Sequence, residues 1–341
     1  MKHFFRLGLF VVGSLAVVSF IISSSVVWNL PGSAFVDGSP ARGDYHFAMF
    51  VPVSRNAFVE DLVAGAKRAA AQSGVALSVR SVDSAGTSLR MAKYLGADGA
   101  VVFPNSDDAL MGELLGALRA TGLPIVLTDH NVPADQPWPF VGTNNFDLGR
   151  KAGAVAMEGS PNLDAARAED IRLAVVYSDK TPWIYAEREL VEMGITSTLG
   201  SRLAPPIERL RTDRNPRDAE RVVYELVKVT PPVTVVVFTD VDDTLAGAQA
   251  LVDLNLVGKI DVVGFGSTDG IREFIKKGVI RASLSVHPES IGFQAIRSLV
   301  ELKRTGYTSQ SVDTGIDVVG PESVPSWQYG RSRVPEGDSP K

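Results

Sequence analysis

The chain has 341 residues, 45% of them hydrophobic, and a formal net charge of −5 at pH 7. That length accommodates two lobes of moderate size, and the acidic balance lacks the basic face that nucleic-acid binding requires. No cysteine is present, which excludes disulfides, thiolate catalysis, thiolate metal sites and a lipid-bearing N-terminal cysteine.

Lys2 and Arg6 precede an uncharged, largely apolar run from Leu7 to Leu30. As a helix such a run is long enough to cross a bilayer core, for which about 20 residues suffice. The two basic residues place the N-terminus in the cytoplasm and send the remainder outward. Gly32 and Ala34 would permit cleavage after Ala34, but cleaved signals normally carry shorter apolar cores. The run therefore reads as a retained anchor over residues 1–30, with Trp28 at the outer interface. Residues 31–44, PGSAFVDGSPARGD, read as a tether, and residues 322–341 as a disordered polar tail.

Between these segments, apolar strand-like runs alternate with helix-period segments. HFAMFVPV (46–53) leads into a helix over 57–73, whose apolar face includes Phe58, Leu62, Val63 and Ala66. ALSVRSV (76–82), DGAVVFP (98–104), a helix from Asp108 to Thr121 stopped at Gly122, PIVLTD (124–129), a loop with Pro133, Pro137 and Pro139, and FVGT complete the first half. The second half gives strands over 171–177, near Arg202, 233–239, 261–266 and 280–285. Helices over 184–194, 216–228, 243–255, 270–277 and 289–304 lie between and after them, and GIDVV forms a last strand. Strands with little polar alternation, joined by helices, are buried on both faces. The predicted fold is α/β, with two doubly wound parallel-sheet lobes.

In such sheets a ligand lies beyond the C-terminal strand ends. The residues there are Ser54, Arg55 and Asn56; Asn105 and Ser106; Asp129 and His130; Asn144 and Asn145; Asp240 and Asp242; and Ser267. Planar amides, carboxylates and hydroxyls dominate, while lysines and glycine loops are scarce. This set suits a neutral ligand with many hydroxyls better than a phosphate.

Seven stretches in order carry a family resemblance: SRNAFVEDLVAGAKRAAAQSG, GADGAVVFPNSDDA, GLPIVLTDHN, VGTNNFDLGRKAG, VVVFTDVDDTLAGAQAL, DVVGFGSTDGIREFIKKGVIRASLSVHPESIGFQAI and TGIDVV. Over about residues 45–320 the chain resembles the type I periplasmic solute-binding proteins of the ribose and galactose class. That class shares its fold with the effector domain of lactose-repressor-type regulators. The resemblance implies two lobes, residues 45–145 with 288–312 and residues 146–287 with 313–321. Three crossings, near Asn145, His287 and Asp313, join them, and the lobes hinge shut on a sugar. It implies ligand contacts from Asn56, from Phe58 on the sugar ring, and from Asp129. His130 stands where ribose binders have Arg. Arg188 matches the lobe-two Arg, and Asp242 matches the Asp of an Asn-Asp pair whose Asn is Val241 here. Gly266 replaces an Asp and is followed by Ser267; Val286 replaces a Gln. Trp183 is a second candidate for flat contact with the ring. The resemblance further implies no covalent chemistry, no cofactor and no metal. It implies docking of the closed form on an ABC permease or on a membrane sensor histidine kinase, with import the commoner use.

Competing readings attach to the same residues. Asn56, Asn144, Asn145 and Ser267 are also helix-cap residues by position, and Arg188, between Glu187 and Glu189, is also a solvated helix face. GFGSTDG has one residue too many for a dinucleotide fingerprint. FTDVDDT has the look of a haloacid dehalogenase-type phosphatase motif, with Asp240 as nucleophile and Asp242 as acid/base around magnesium. The acidic pair such an enzyme needs further on is missing, because GIDVV runs into Gly320 and Pro321.

Overall fold

The computed structural model describes residues 44–53, 56–83, 85–104, 107–158, 171–213, 215 and 217–323, with the side chain of Trp183 excepted. The predicted anchor, most of the tether and nearly all of the tail lie outside these residues. Among the described residues no helix is long and apolar enough to cross a membrane.

The first half runs β1 (His46–Pro52), α1 (Ala57–Ser73), β2 (Ala76–Val82), α2 (Thr87–Arg90), β3 (Gly99–Val102), α3 (Asp108–Arg119), β4 (Ile125–Thr128) and β5 (Phe140–Gly142). The chain continues with α4 (Asn145–Glu158), β6 (Leu173–Ser178), α5 (Pro182–Ala186), α6 (Arg188–Leu199), β7 (Glu208–Thr212), α7 (Asp218–Leu226), β8 (Val235–Phe238) and α8 (Val241–Asp253). It closes with β9 (Asp261–Phe265), α9 (Asp269–Lys276), β10 (Ala282–Val286), α10 (Pro288–Thr305), β11 (Ser311–Asp313) and β12 (Ile316–Val319).

These strands form two six-stranded sheets, β11-β5-β4-β3-β1-β2 and β12-β10-β9-β8-β6-β7. The first is parallel throughout; in the second only β12 runs antiparallel, against β10. Strand alternation explains the layering. In β1, Phe47, Met49 and Val51 join one apolar cluster with α1 and α10, while Ala48 and Phe50 join another with α2 and α3. In β6, Leu173, Val175 and Tyr177 face α4 and α6, while Ala174 and Val176 face α7 and α8. The chain passes between the sheets three times: from β5 to α4, which packs on β9, β10 and β12; from β10 to α10, which packs on β3, β4 and β5; and from β11 to β12.

Each lobe contains one closely packed helix pair that only glycine permits. On α10, a β-carbon at Gly292 would collide with the Leu62 carbonyl of α1, and one at Gly65 with the Glu289 carbonyl. Gly149 of α4 and Gly194 of α6 meet the Val191 and Phe146 carbonyls in the same way.

Two sequence expectations are corrected. Residues 200–202 form a 3₁₀ turn rather than a strand, and the strand of that region is β7. ERLRT exposes Arg209 and Arg211 because β7 is a sheet edge with one row of backbone groups unpaired, and edge charge discourages pairing with other chains. The single helix expected over 184–194 is broken into α5 and α6 at Glu187, whose backbone (φ −107, ψ 25) is not helical.

Candidate functional site

The β4 exit is the most unusual backbone in the first lobe. Asp129 adopts a left-handed conformation (φ 68), rare for a residue with a side chain. Its amide donates to the Val141 carbonyl (3.1 Å), so the turn is tied to β5. Gly142 makes room for it: a β-carbon there would press on the Asp129 backbone and the Phe140 ring. Such strain persists only where the surroundings over-determine it, and it gathers at ligand sites.

Asp129 is 3% exposed, and its Oδ2 has no hydrogen-bond partner. Burial, and then the nearby Glu187 charge, push its pKa well above the usual carboxylate range, with His130 opposing. A carboxyl so placed has an unused oxygen that a hydrogen-bond donor could reach.

His130 lies beside it, also buried. Its Nε2 is 2.7 Å from Asp108 Oδ1 at the start of α3, and its Nδ1 is 3.6 Å from Glu187 Oε1 in the second lobe. The first distance is a hydrogen bond; the second is an ion-pair distance only, and Nδ1 has no hydrogen-bond partner. Burial works against the charged ring, but Glu187 and Asp108 together outweigh it and raise the His130 pKa. Burial also works against the Glu187 carboxylate. His130, with Asn145 Nδ2 donating to Oε2 at 2.9 Å, outweighs it and lowers the Glu187 pKa.

The second lobe presents a different cluster at its strand ends. Asp240 caps α8, accepting from the amides of Asp242 (3.0 Å) and Asp243 (3.1 Å). Lys180, just after β6, reaches Asp243 Oδ1 at 2.7 Å and Asp240 Oδ1 at 3.4 Å. Asp243 also accepts from the buried Thr212 hydroxyl at the end of β7. Burial, then the Asp243 charge, raise the Asp240 pKa. Burial would lower that of Lys180, but its contacts with Asp243 and Asp240 raise it.

The remaining predicted residues are distributed around these clusters. Asn56 caps α1, accepting from the Val59 amide at 3.0 Å. Phe58 is half-buried and meets Phe103 edge-on, with ring centroids 6.4 Å apart. Ser267 shares a hydrogen bond with Ser285 (3.2 Å). Asn144 caps α4 by accepting from the amides of Phe146 and Asp147. Asp242 is exposed. Arg188 stacks on the Tyr185 ring (4.8 Å) and pairs with Glu189 (3.5 Å), while its neighbour Glu187 occupies the network. Trp183 lies in α5. An open pocket sits elsewhere, beside α1 and α10, and its charges are already used: Arg68 pairs with Glu289, and His287 with Asp317 at 3.3 Å.

A periplasmic binding protein domain model matches residues 47–306. The chain belongs to the periplasmic binding protein family. A search of curated proteins finds no significant match. Among solved structures, GanP, a glucose-galactose binding protein from Geobacillus stearothermophilus, is similar with a TM-score of 0.68 at 19% identity, over 82% of this chain and 99% of that one. A solute-binding protein of an ABC transporter from Agrobacterium vitis, bound with alpha-D-tagatopyranose, gives 0.69 at 18% identity over 83% and 96%. A chain of the XylFII-LytSN complex gives 0.66 at 18% identity over 82% and 99%. At these identities the likeness is one of fold.

A periplasmic binding protein binds its ligand and does not transform it. The phosphatase reading of FTDVDDT is set aside accordingly. The residue cast there as nucleophile, Asp240, accepts two helix-start amides and faces Lys180, and Asp242 stands exposed beside it. Among the described residues no group of three or more His, Asp or Glu side chains could hold a metal.

Proposed function

We propose that the protein is an extracytoplasmic sugar-binding protein. It takes a monosaccharide or similar polyol between its lobes and delivers it to an ABC importer, with the apolar run from Leu7 to Leu30 as its membrane anchor. One observation carries the reading. Asp129 is buried, held in a strained turn at a strand end, and left with an unpartnered carboxylate oxygen beside the other lobe. Sugar hydroxyls are the donors such an acceptor requires, and carboxylates are their strongest neutral-ligand partners. Around it we place His130, Asn56 and Phe58 from the first lobe and Trp183, Arg188, Asp242 and Ser267 from the second, with Glu187 added. The family supports an extracytoplasmic location; the similar Geobacillus protein is a glucose-galactose binding protein, and the similar Agrobacterium vitis protein is bound with alpha-D-tagatopyranose.

A sensing role is the second reading. The fold is shared with a chain of the XylFII-LytSN complex, in which a protein of this shape is engaged by a partner. A membrane histidine kinase would then receive the closed form.

A thermal-shift screen over pentoses, hexoses and polyols tests the sugar reading. A ligand at about 100 times its dissociation constant adds about 2.7 kcal/mol, a shift of several degrees. No response to any sugar, with a response to another solute class, overturns it. Cross-linking in intact membranes then separates import from sensing by whether a permease or a kinase is captured.

A further inference from the structure

His130 bridges the lobes through a geometry that favours its charged ring. Both ring nitrogens face carboxylates: Asp108 of the first lobe at 2.7 Å and Glu187 of the second at 3.6 Å. A neutral imidazole carries one N–H, so one nitrogen lone pair would then face a carboxylate. An imidazolium turns an N–H toward each carboxylate, hydrogen-bonded to Asp108 and at ion-pair distance from Glu187. Separating the lobes leaves His130 with Asp108 and Glu187 with Asn145, since α4 packs on the second sheet. Opening therefore breaks the contacts of Glu187 with the first lobe, to His130 and to the Asn131 backbone amide; of these only the first depends on the charge of the ring.

We propose that Glu187 is a positioning residue that holds His130 as an imidazolium across the cleft, so that the lobes close more fully in acid than in base. The proposal uses the two-lobe closure of the reading above but not the identity of its ligand. The charged and titratable groups facing this contact are Asp108 from α3, Asp129 from the β4 exit and Glu187 from the break between α5 and α6. Glu187 in turn meets His130, Asn145 and the Asn131 backbone amide, with Asp129 close by. Glu187 and Asp108 together raise the His130 pKa; the Asp108 share persists when the lobes part, and the Glu187 share makes the contact present while the ring is protonated and lost as pH rises through the raised value. Because the closed state lowers the Glu187 pKa, the contact fails at the acid end only once that carboxylate is protonated. Ionised Asp129 repels Glu187 and attracts His130, so its two effects on the contact oppose each other.

The chain has no cysteine, so paired spin labels can be placed without background. Lys67→Cys on α1 and Glu220→Cys on α7, both exposed, report the distance between the lobes in the full chain. Without ligand, the short-distance population at about pH 5.5 should exceed that at about pH 8.5 by several-fold, since histidine titrates between them. Glu187→Gln, which keeps the shape and the Asn145 contact, should flatten this difference, and His130→Asn should do the same. Equal distributions at both pH values overturn the proposal, as does a pH difference that survives Glu187→Gln. Neither outcome depends on a sugar binding, so the failure of the sugar reading would be seen separately in the thermal screen.

Discussion

The two lobes share a plan but finish their strand ends in opposite ways. In the second lobe every acid in the cluster is answered from within: Asp240 by its helix amides and Lys180, Asp243 by Lys180 and Thr212. In the first lobe Asp129 is buried, strained and short of a partner. The lesson is one of division of labour. A self-satisfied cluster stabilises its own lobe, while a buried acceptor without a partner calls for an explanation, here the proposed ligand. Glu187 belongs to the second lobe by sequence but acts at the first, through His130.

The comparison is most sharply broken at Lys180. Lys180→Met leaves Asp240 and Asp243 buried with no cation between them, and removing one partner from a buried pair costs about 3 kcal/mol or more. Denaturant titration should show a lower midpoint at unchanged slope, with ligand affinity in the folded fraction changed little. Next come the helix pairs. Gly292→Ala in the first lobe and Gly194→Ala in the second each force a methyl into a facing carbonyl. Each should cost about 2 kcal/mol, because the two lobes use the same device.

Asp129→Asn should separate stability from binding. The folded state raises this carboxyl's pKa, so the unfolded chain ionises first and the wild type loses stability as pH rises above the ordinary carboxylate range. The asparagine variant should lose that pH dependence and be the more stable protein near neutrality, measured by thermal melts at a series of pH values. It should bind ligand roughly 10- to 100-fold less well, the worth of a hydrogen bond to a charged group. The smallest effect on stability is expected at Asp242, exposed on the first turn of α8. Asp242→Ala should move the denaturant midpoint by less than about 1 kcal/mol of stability, the worth of a helix-dipole contact.

The sequence made the apolar strands legible, including the edge strands ALSVRSV and GIDVV, and left the two charged edges obscure. VTVVVFT and HFAMFVPV are apolar enough to announce strands buried on both faces. ERLRT and SVD are edge strands, partly solvated and charged, and no hydrophobic period marks them. Among the proposed site residues, Asp129 is legible by its place after a strand, because the ligand position expected for this architecture follows from topology. Glu187 could not. YAEREL contains no breaker, so it reads as one continuous helix in which Arg188 is as good a choice as its neighbour. The interruption that sends Glu187 into the network comes from tertiary packing. Lys180 was within reach, since Ser178, Asp179 and Lys180 end β6 as Asp129 ends β4, and the same strand-end rule applies there. Its pairing with Asp243 was not, because that depends on how β6, β7 and α8 are brought together.

The account rests on Asp129 as the acceptor that meets the ligand. Its most direct test is calorimetric titration of wild type and Asp129→Asn with the sugar that the thermal screen selects, under conditions where both melt cooperatively. The account predicts a dissociation constant at least about tenfold weaker in a variant that is as stable as the wild type or more so. An unchanged dissociation constant in that stably folded variant would contradict it.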